Sequence, residues 1–293
     1  MTWLSDDTLS HLQAIAETPD LSGTRYELVR ELGRGGMGVV YEVRDRELDR
    51  SVAMKVVDDP TRGEAQISAA LEHPGIVPVH DAGLLADGRL YYTMKLVRGV
   101  RLDEWARGHT RQGGRTEALR LFARICEPVA FAHANGVVHR DLKPENVMVG
   151  EFGAVLVMDW GVARTEGVEH DRVIVGTLGY MPPEQSRGDR ADARSDIYAL
   201  GAMLAFLLQD EPVPRPLQAI VQRAMAKDPC DRYADARELA NDVLRFLDGE
   251  PVSAYRESVF ERSGRWIGRH RALLAIIAAY LIMRVIVFFS MKL

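Results

Sequence analysis

The residues best suited to chemistry fall in one short stretch, Val138-His139-Arg140-Asp141-Leu142-Lys143-Pro144-Glu145-Asn146. Asp141, Lys143 and Asn146 offer a carboxylate, an ammonium and an amide within six residues, at the end of an apolar run. Such a loop can hold a hydroxyl substrate, a phosphate and a metal ion together. The plain alternative is an ordinary charged turn.

Elements able to position this loop lie on both sides of it. Residues 116–135 have helical period, with Leu119, Phe122, Ala123, Cys126 and Ala130 on one face and Gly136 suited to the C-terminal turn. Val137-Val138 then leads into the loop. Residues 146–149 and 154–158 read as a β-hairpin that delivers Asp159-Trp160-Gly161. Upstream, a short helix is expected over residues 102–107.

The first third of the chain has a different character. Residues 2–17 read as an amphipathic helix, with Ser5 as N-cap and Leu9, Leu12 and Ile15 on one face; Pro19 and Gly23 end it. From Tyr26 the chain turns β-rich. Gly33, Gly35 and Gly38 make G-x-G-x-x-G, and glycine lets a backbone approach phosphates closely. Alone the pattern is weak, since dinucleotide-binding folds use it before a helix. Here Val39-Val40-Tyr41-Glu42-Val43 follows, which is strand-like and suits a hairpin lid. Residues 52–57 form another strand with one charge, Lys55, inside an apolar run; its default role is a solvated lysine at a strand edge. A helical stretch over 64–71 precedes His73-Pro74, and residues 76–79 and 90–97 read as two more strands, with a turn at Asp87-Gly88.

At 293 residues the chain can build one large domain or two lobes. Its 47% apolar and 27% charged residues are ordinary for a globular protein. A net charge of −5, without a basic stripe, argues against nucleic-acid binding. Cys126 and Cys230 show neither metal-ligand nor redox spacing, so two buried thiols in a reducing compartment are expected. The N-terminus shows no secretory signal pattern.

The C-terminal end is distinct. Arg262, Arg265, Arg269, His270 and Arg271 precede an apolar run over 272–289. As a helix this is roughly 27 Å long, just enough to cross a hydrocarbon core. Arg284 opposes insertion by about 2.5–3.5 kcal/mol at mid-bilayer, but it lies nearer the far end and can snorkel. The arginines before the run, with only Lys292 after it, put the preceding domain on the cytoplasmic side. An interfacial helix and a buried core helix are the alternatives.

Several of these motifs, in this order, resemble the bacterial eukaryotic-like serine/threonine protein kinases. His139 to Asn146 matches H-R-D-L-x-x-x-N in full, with the Lys-Pro-Glu of the Ser/Thr-specific version. The resemblance covers roughly residues 25–248. It implies an α+β, two-lobed protein kinase fold, with a β-rich N-lobe and a mostly α-helical C-lobe, here joined to one C-terminal transmembrane helix. The organisation would be an N-terminal helical extension (1–24), N-lobe (25–98), C-lobe (99–249), basic juxtamembrane segment (250–271) and transmembrane helix (272–290). The implied reaction is transfer of the γ-phosphoryl of ATP, with Mg²⁺, to Ser or Thr hydroxyls of protein substrates. Asp141 would orient the hydroxyl and accept its proton, and Lys143 would stabilise the moving phosphoryl. Asn146 and Asp159 would hold the metal. Lys55, paired with Glu64, would hold the α- and β-phosphates; Glu72 is the fallback partner. Leu32, Gly33, Gly35 and Gly38 would cover the nucleotide, and Val40, Ala53 and Met148 would sandwich the base. Met94 would be the gatekeeper, with Lys95, Leu96 and Val97 as hinge.

Resemblance also assigns structural and regulatory positions. Glu184, in a P-P-E version of A-P-E, would pair with Arg232, and Asp196 would brace the catalytic loop. Relatives carry phosphorylated threonines where Glu169 and Asp171 stand here, so these carboxylates would face Arg140 and allow activity without loop phosphorylation. Thr165 and Thr177 are the only threonines of that segment. Other departures are Trp160 for the usual Phe, a short lead into the Glu64 helix, and no room for a helix between Leu208 and Leu217. They leave open a membrane-anchored pseudokinase scaffold. The implied location is a bacterial inner membrane, single-pass, with the kinase domain cytoplasmic. A homodimer through the span is an open option, although no G-x-x-x-G occurs there.

Overall fold

The computed structural model describes residues 18–290, except 36–37, 58–62, 110–113, 161–163, 166–176, 178, 210–211, 260, 264–265 and 267–269. The helix expected over residues 2–17 lies outside them. Side chains at 63–65, 68, 164–165, 271–273 and 285–290 are also outside the description.

Aromatic and β-branched residues build the small lobe. β1 (Tyr26–Gly35), β2 (Gly38–Asp45), β3 (Arg50–Val57), β4 (Val79–Leu84) and β5 (Leu90–Lys95) form one antiparallel sheet, ordered β1-β2-β3-β5-β4. β3 is central and buried on both faces from Val52 to Val57, which explains its unbroken apolar run. One face packs Tyr26, Tyr41, Val43, Met54 and Tyr91 together, and Val57, Leu90 and Tyr92 pack separately. The strand expected at residues 76–79 begins instead at Val79. Pro78 has no N–H to give a ladder and serves only as acceptor for the Lys95 amide, at 3.2 Å. α1 (Gly63–Ala70) follows β3.

The large lobe is built on α3 (Arg115–Ala134), whose Leu119, Phe122, Ile125, Cys126 and Val129 are buried in the main core. α2 (Leu102–His109) precedes it. α5 (Ala193–Leu207), α6 (Arg215–Ala224) and α7 (Ala236–Leu247) pack around it, following the short α4 (Pro183–Ser186). Among the described residues no helix intervenes between α5 and α6; Pro212 and Pro214 cannot donate to a helical ladder there. β6 (Gly99–Arg101), β8 (Val147–Gly150) and β9 (Val155–Val157) make a small sheet, and β7 (Val137–Val138) pairs with β10 (Arg164–Thr165). The lobes are tied where Val157 N–H donates to Gly75 O at 2.8 Å beside a parallel Ile76–Val157 bridge.

The two cysteines differ from expectation and from each other. Cys126 is buried, but Cys230 is exposed, because it lies in a one-turn 3₁₀ segment (Pro229–Asp231) none of whose residues is buried. The last helix, α8 (Arg271–Ser290), leaves Ile276, Tyr280, Leu281 and Ile282 exposed. Among the described residues no helix is long and apolar enough to cross a membrane.

Candidate active site

α3 stops where Gly136 takes φ 70°, and β7 then carries the chain into the loop. Arg140 has φ 72°, a left-handed conformation that is costly for a residue with a β-carbon. Asp196 on α5 stabilises it. Its Oδ2 accepts from His139 N–H at 2.8 Å and from His133 Nε2 at 2.8 Å, and its Oδ1 accepts from Arg140 N–H at 2.9 Å. This carboxylate is buried, which alone would raise its pKa; the hydrogen bond and charge of His133, with the charge and backbone N–H of His139, outweigh burial and hold it below the usual range. His139 adds a second brace. Its Nε2 donates to Met158 O at 3.0 Å, and its Nδ1 accepts from Asp141 N–H at 3.3 Å.

The loop brings its three chemical groups together. Lys143 Nζ lies 2.8 Å from Asp141 Oδ2. Asn146 Nδ2 donates to Asp141 O at 2.8 Å and faces Asp141 Oδ2 at 3.3 Å. That leaves the Asn146 carbonyl oxygen as the amide's remaining ligand atom. Thr177 closes the group: its Oγ1 donates to Asp141 Oδ1 at 3.0 Å and accepts from Lys143 Nζ at 2.8 Å. One hydroxyl thus bridges the carboxylate and the ammonium.

Asp159, delivered by the β8–β9 hairpin, has φ 62° and reaches Lys55 Nζ at 2.7 Å with Oδ1. Burial opposes its charge, but Lys55 prevails and holds its carboxyl below the usual range. Lys55 is buried on β3, opposite Val40 of β2. Lys55 is therefore no solvated edge residue. Trp160 is 2% exposed, and its ring lies 4.6 Å from that of His139. A large aromatic at this point packs beneath the loop rather than into solvent.

A family model described as the protein kinase domain matches residues 26–248. This chain belongs to the protein kinase domain family. Serine/threonine-protein kinase PknB of Mycobacterium tuberculosis is 38% identical, across 81% of this chain and 45% of that protein. PrkC of Bacillus subtilis is 32% identical, across 81% and 43%. Among solved structures, the kinase domain of Mycobacterium tuberculosis PknI is 28% identical with a TM-score of 0.59, covering 75% of this chain and 95% of that one. The chain spans less than half the length of the curated relatives it matches.

The residues expected at a nucleotide come from both lobes. Val40 and Ala53 are on β2 and β3, Met94 at the end of β5 opposite Ala53, and Met148 on β8 below. Leu32 is 39% exposed on β1. Lys95 and Val97 form the connection between the lobes. The three glycines differ in what they require. A β-carbon on Gly33 or Gly35 would meet nothing within 4 Å, whereas on Gly38, at φ 125°, it would lie 2.1 Å from Val56 O. Gly38 is demanded by the fold, whereas Gly33 and Gly35 face open space.

Away from the nucleotide, Glu184 and Arg232 form a buried fork, 2.7 and 2.8 Å, and Ser195 Oγ donates to Glu184 at 2.9 Å. The side chain of Glu64, expected to face Lys55, is outside the described residues, as are Glu169 and Asp171; Glu72 is exposed. Thr165 pairs with Val137 in the two-residue β10. Sequence reasoning missed His133 and Gln185, whose Nε2 donates to Arg140 O at 2.7 Å. It assigned Thr177 to regulation and did not foresee that its hydroxyl hydrogen-bonds both Asp141 and Lys143. His133 sits in the last turn of α3, a hint that it faces the loop which follows.

Proposed function

We propose that this domain is a serine/threonine protein kinase that transfers the γ-phosphoryl of Mg-ATP to protein hydroxyls. The observation that carries the reading is the Asp141–Thr177–Lys143 group, in which a carboxylate and an ammonium hold one hydroxyl between them. A substrate hydroxyl presented to Asp141 is oriented there and gives up its proton to the carboxylate. Lys143 offsets the negative charge of the moving phosphoryl, and Lys55 engages the phosphates that stay behind. Asn146 and Asp159 supply hard oxygen atoms, which suit Mg²⁺ bound by one or two carboxylates plus substrate phosphates. The metal would neutralise charge on the phosphates. A scaffold without phosphoryl transfer is the weaker reading, because a pseudokinase has no need of this assembled group.

We place the chain at a bacterial inner membrane, single-pass through residues 272–290, with the kinase domain cytoplasmic. The apolar run over 272–289 and the arginines before it support this; the described side chains of α8 are only those of 274–284, shorter than a span, and Ile276, Tyr280, Leu281 and Ile282 among them are exposed. Alkaline extraction of membranes from cells expressing the full chain tests it; release into the soluble fraction would exclude the anchor. The carboxylates Glu169 and Asp171 are proposed to replace loop phosphorylation, and Asp171→Asn with Glu169→Gln should lower activity.

The primary test is phosphate incorporation from labelled ATP into the chain and a generic basic protein, wild type against Asp141→Asn. Loss in the variant by about 10²–10⁴-fold is expected. Equal incorporation in both would remove Asp141 from the chemistry.

A further inference from the structure

Asp242 on α7 is a buried carboxylate that the active site does not use. Four donors converge on its two oxygens. Tyr233 O–H donates at 2.9 Å, Ser253 N–H at 2.8 Å, Ser253 Oγ at 2.7 Å and Ala254 N–H at 3.1 Å. Three of the four come from the chain that follows the last helix of the large lobe. Val252 beside them is 5% exposed and belongs to the main core, with Ala254 and Tyr255 packed against it. The family match ends at residue 248, so this segment lies outside it.

Ser253 is the exposed member of the group. Its hydroxyl gives its one hydrogen to Asp242 and accepts from Arg223 at 2.9 Å. Arg223 is itself held 4.2 Å over the Tyr233 ring. We propose that residues 250–255 are a strap latched to the kinase lobe through Asp242, and that phosphorylation of Ser253 opens the latch. Transfer from ATP forms an Oγ–P bond, breaks the bond to the ADP oxygen, and sends the hydroxyl proton to a base. The product can no longer donate to Asp242. It sets about −1.5 to −2 of charge beside a carboxylate, and Arg223 becomes its partner instead. Ser253 is exposed, so a kinase can reach it, and the phosphate placed beside Asp242 holds the open form. Latched, the chain leaves the lobe at Tyr255; unlatched, it leaves at the end of α7, and the lobe stands further from α8.

Hydrogen exchange by mass spectrometry on the full chain tests both parts. The forms compared are wild type, Ser253→Ala, a chain carrying phosphoserine at 253, and Asp242→Asn. In wild type the strap amides should exchange at least about tenfold slower than unstructured amides. Ser253→Ala should keep most of that protection, because both amide bonds to Asp242 remain. The phosphoserine chain and Asp242→Asn should lose it while α3 stays protected. A wild-type strap exchanging at the unstructured rate would overturn the latch. A phosphoserine strap as slow as that of Ser253→Ala would overturn the switch. Both of these comparisons hold whether or not Asp242→Asn remains folded.

Discussion

Replacing Asp196 by asparagine should damage stability and catalysis together, by amounts the geometry sets. Three N–H donors converge on two carboxylate oxygens: His133 and His139 on Oδ2, Arg140 on Oδ1. Asparagine has one oxygen. Its better orientation keeps His133 and His139 satisfied and turns its NH₂ group toward the Arg140 N–H. One charge-assisted hydrogen bond is lost, about 1.5–3 kcal/mol, and a buried donor is left facing another donor, about 1–3 kcal/mol more. Together the expected loss is about 2.5–6 kcal/mol, a large share of the roughly 5–15 kcal/mol that holds a domain folded. The Arg140 N–H is also what tethers the left-handed turn immediately before Asp141. A shift of about 1 Å in the carboxylate costs roughly 10² in kcat. Urea unfolding reads the first effect. Steady-state kinetics at a temperature where the variant is folded reads the second. A variant within about 1 kcal/mol of wild type and within twofold in kcat would refute the bracing role. A stability loss with unchanged kcat would confine Asp196 to the fold.

Arg232→Ala should cost about 3–5 kcal/mol by leaving Glu184 charged in a buried site. In wild type the carboxyl of Glu184 is pushed up by burial but held below its usual range by the Arg232 and Ser195 hydrogen bonds. Its stabilising effect is therefore full above its unfolded value and lost as pH falls through the folded one. In Arg232→Ala the bond to Arg232 is gone, so acidification should recover stability; thermal melts from pH 7 to 4 that fall in parallel would contradict this. Thr177→Val should lower kcat tenfold or more and leave stability within about 1.5 kcal/mol, since only the bridging hydroxyl goes; unchanged kinetics would dismiss the bridge. Gly38→Ala should destabilise by well over 1 kcal/mol through backbone clash, while Gly35→Ala stays within about 0.5 kcal/mol and raises the KM for ATP. Equal melting temperatures for the two would reject the distinction between fold and phosphate glycines.

The catalytic stretch was legible because its groups are neighbours in the chain. Asp141, Lys143 and Asn146 need only a loop to bring them within hydrogen-bond reach, and residue type and spacing reveal that loop. The strand-forming runs around Tyr41 and Met54 and the apolar face of α3 were legible for a similar reason, since period and propensity are local. The family resemblance extended this to positions far apart, such as Glu184 and Arg232.

What the tertiary structure decided was partnership. Thr177 joins Lys143 from 34 residues away, Asp196 receives the His139 amide across 57, and Lys55 meets Asp159 across 104. The left-handed turn at Arg140 leaves backbone donors that no local acceptor satisfies, and a sequence shows that such donors need a partner without saying which. The clasp of Asp242 on Ser253 has the same character. An aspartate on an amphipathic helix reads as solvated until packing turns it inward, and only burial converts it from a surface charge into the point where the chain beyond α7 is held.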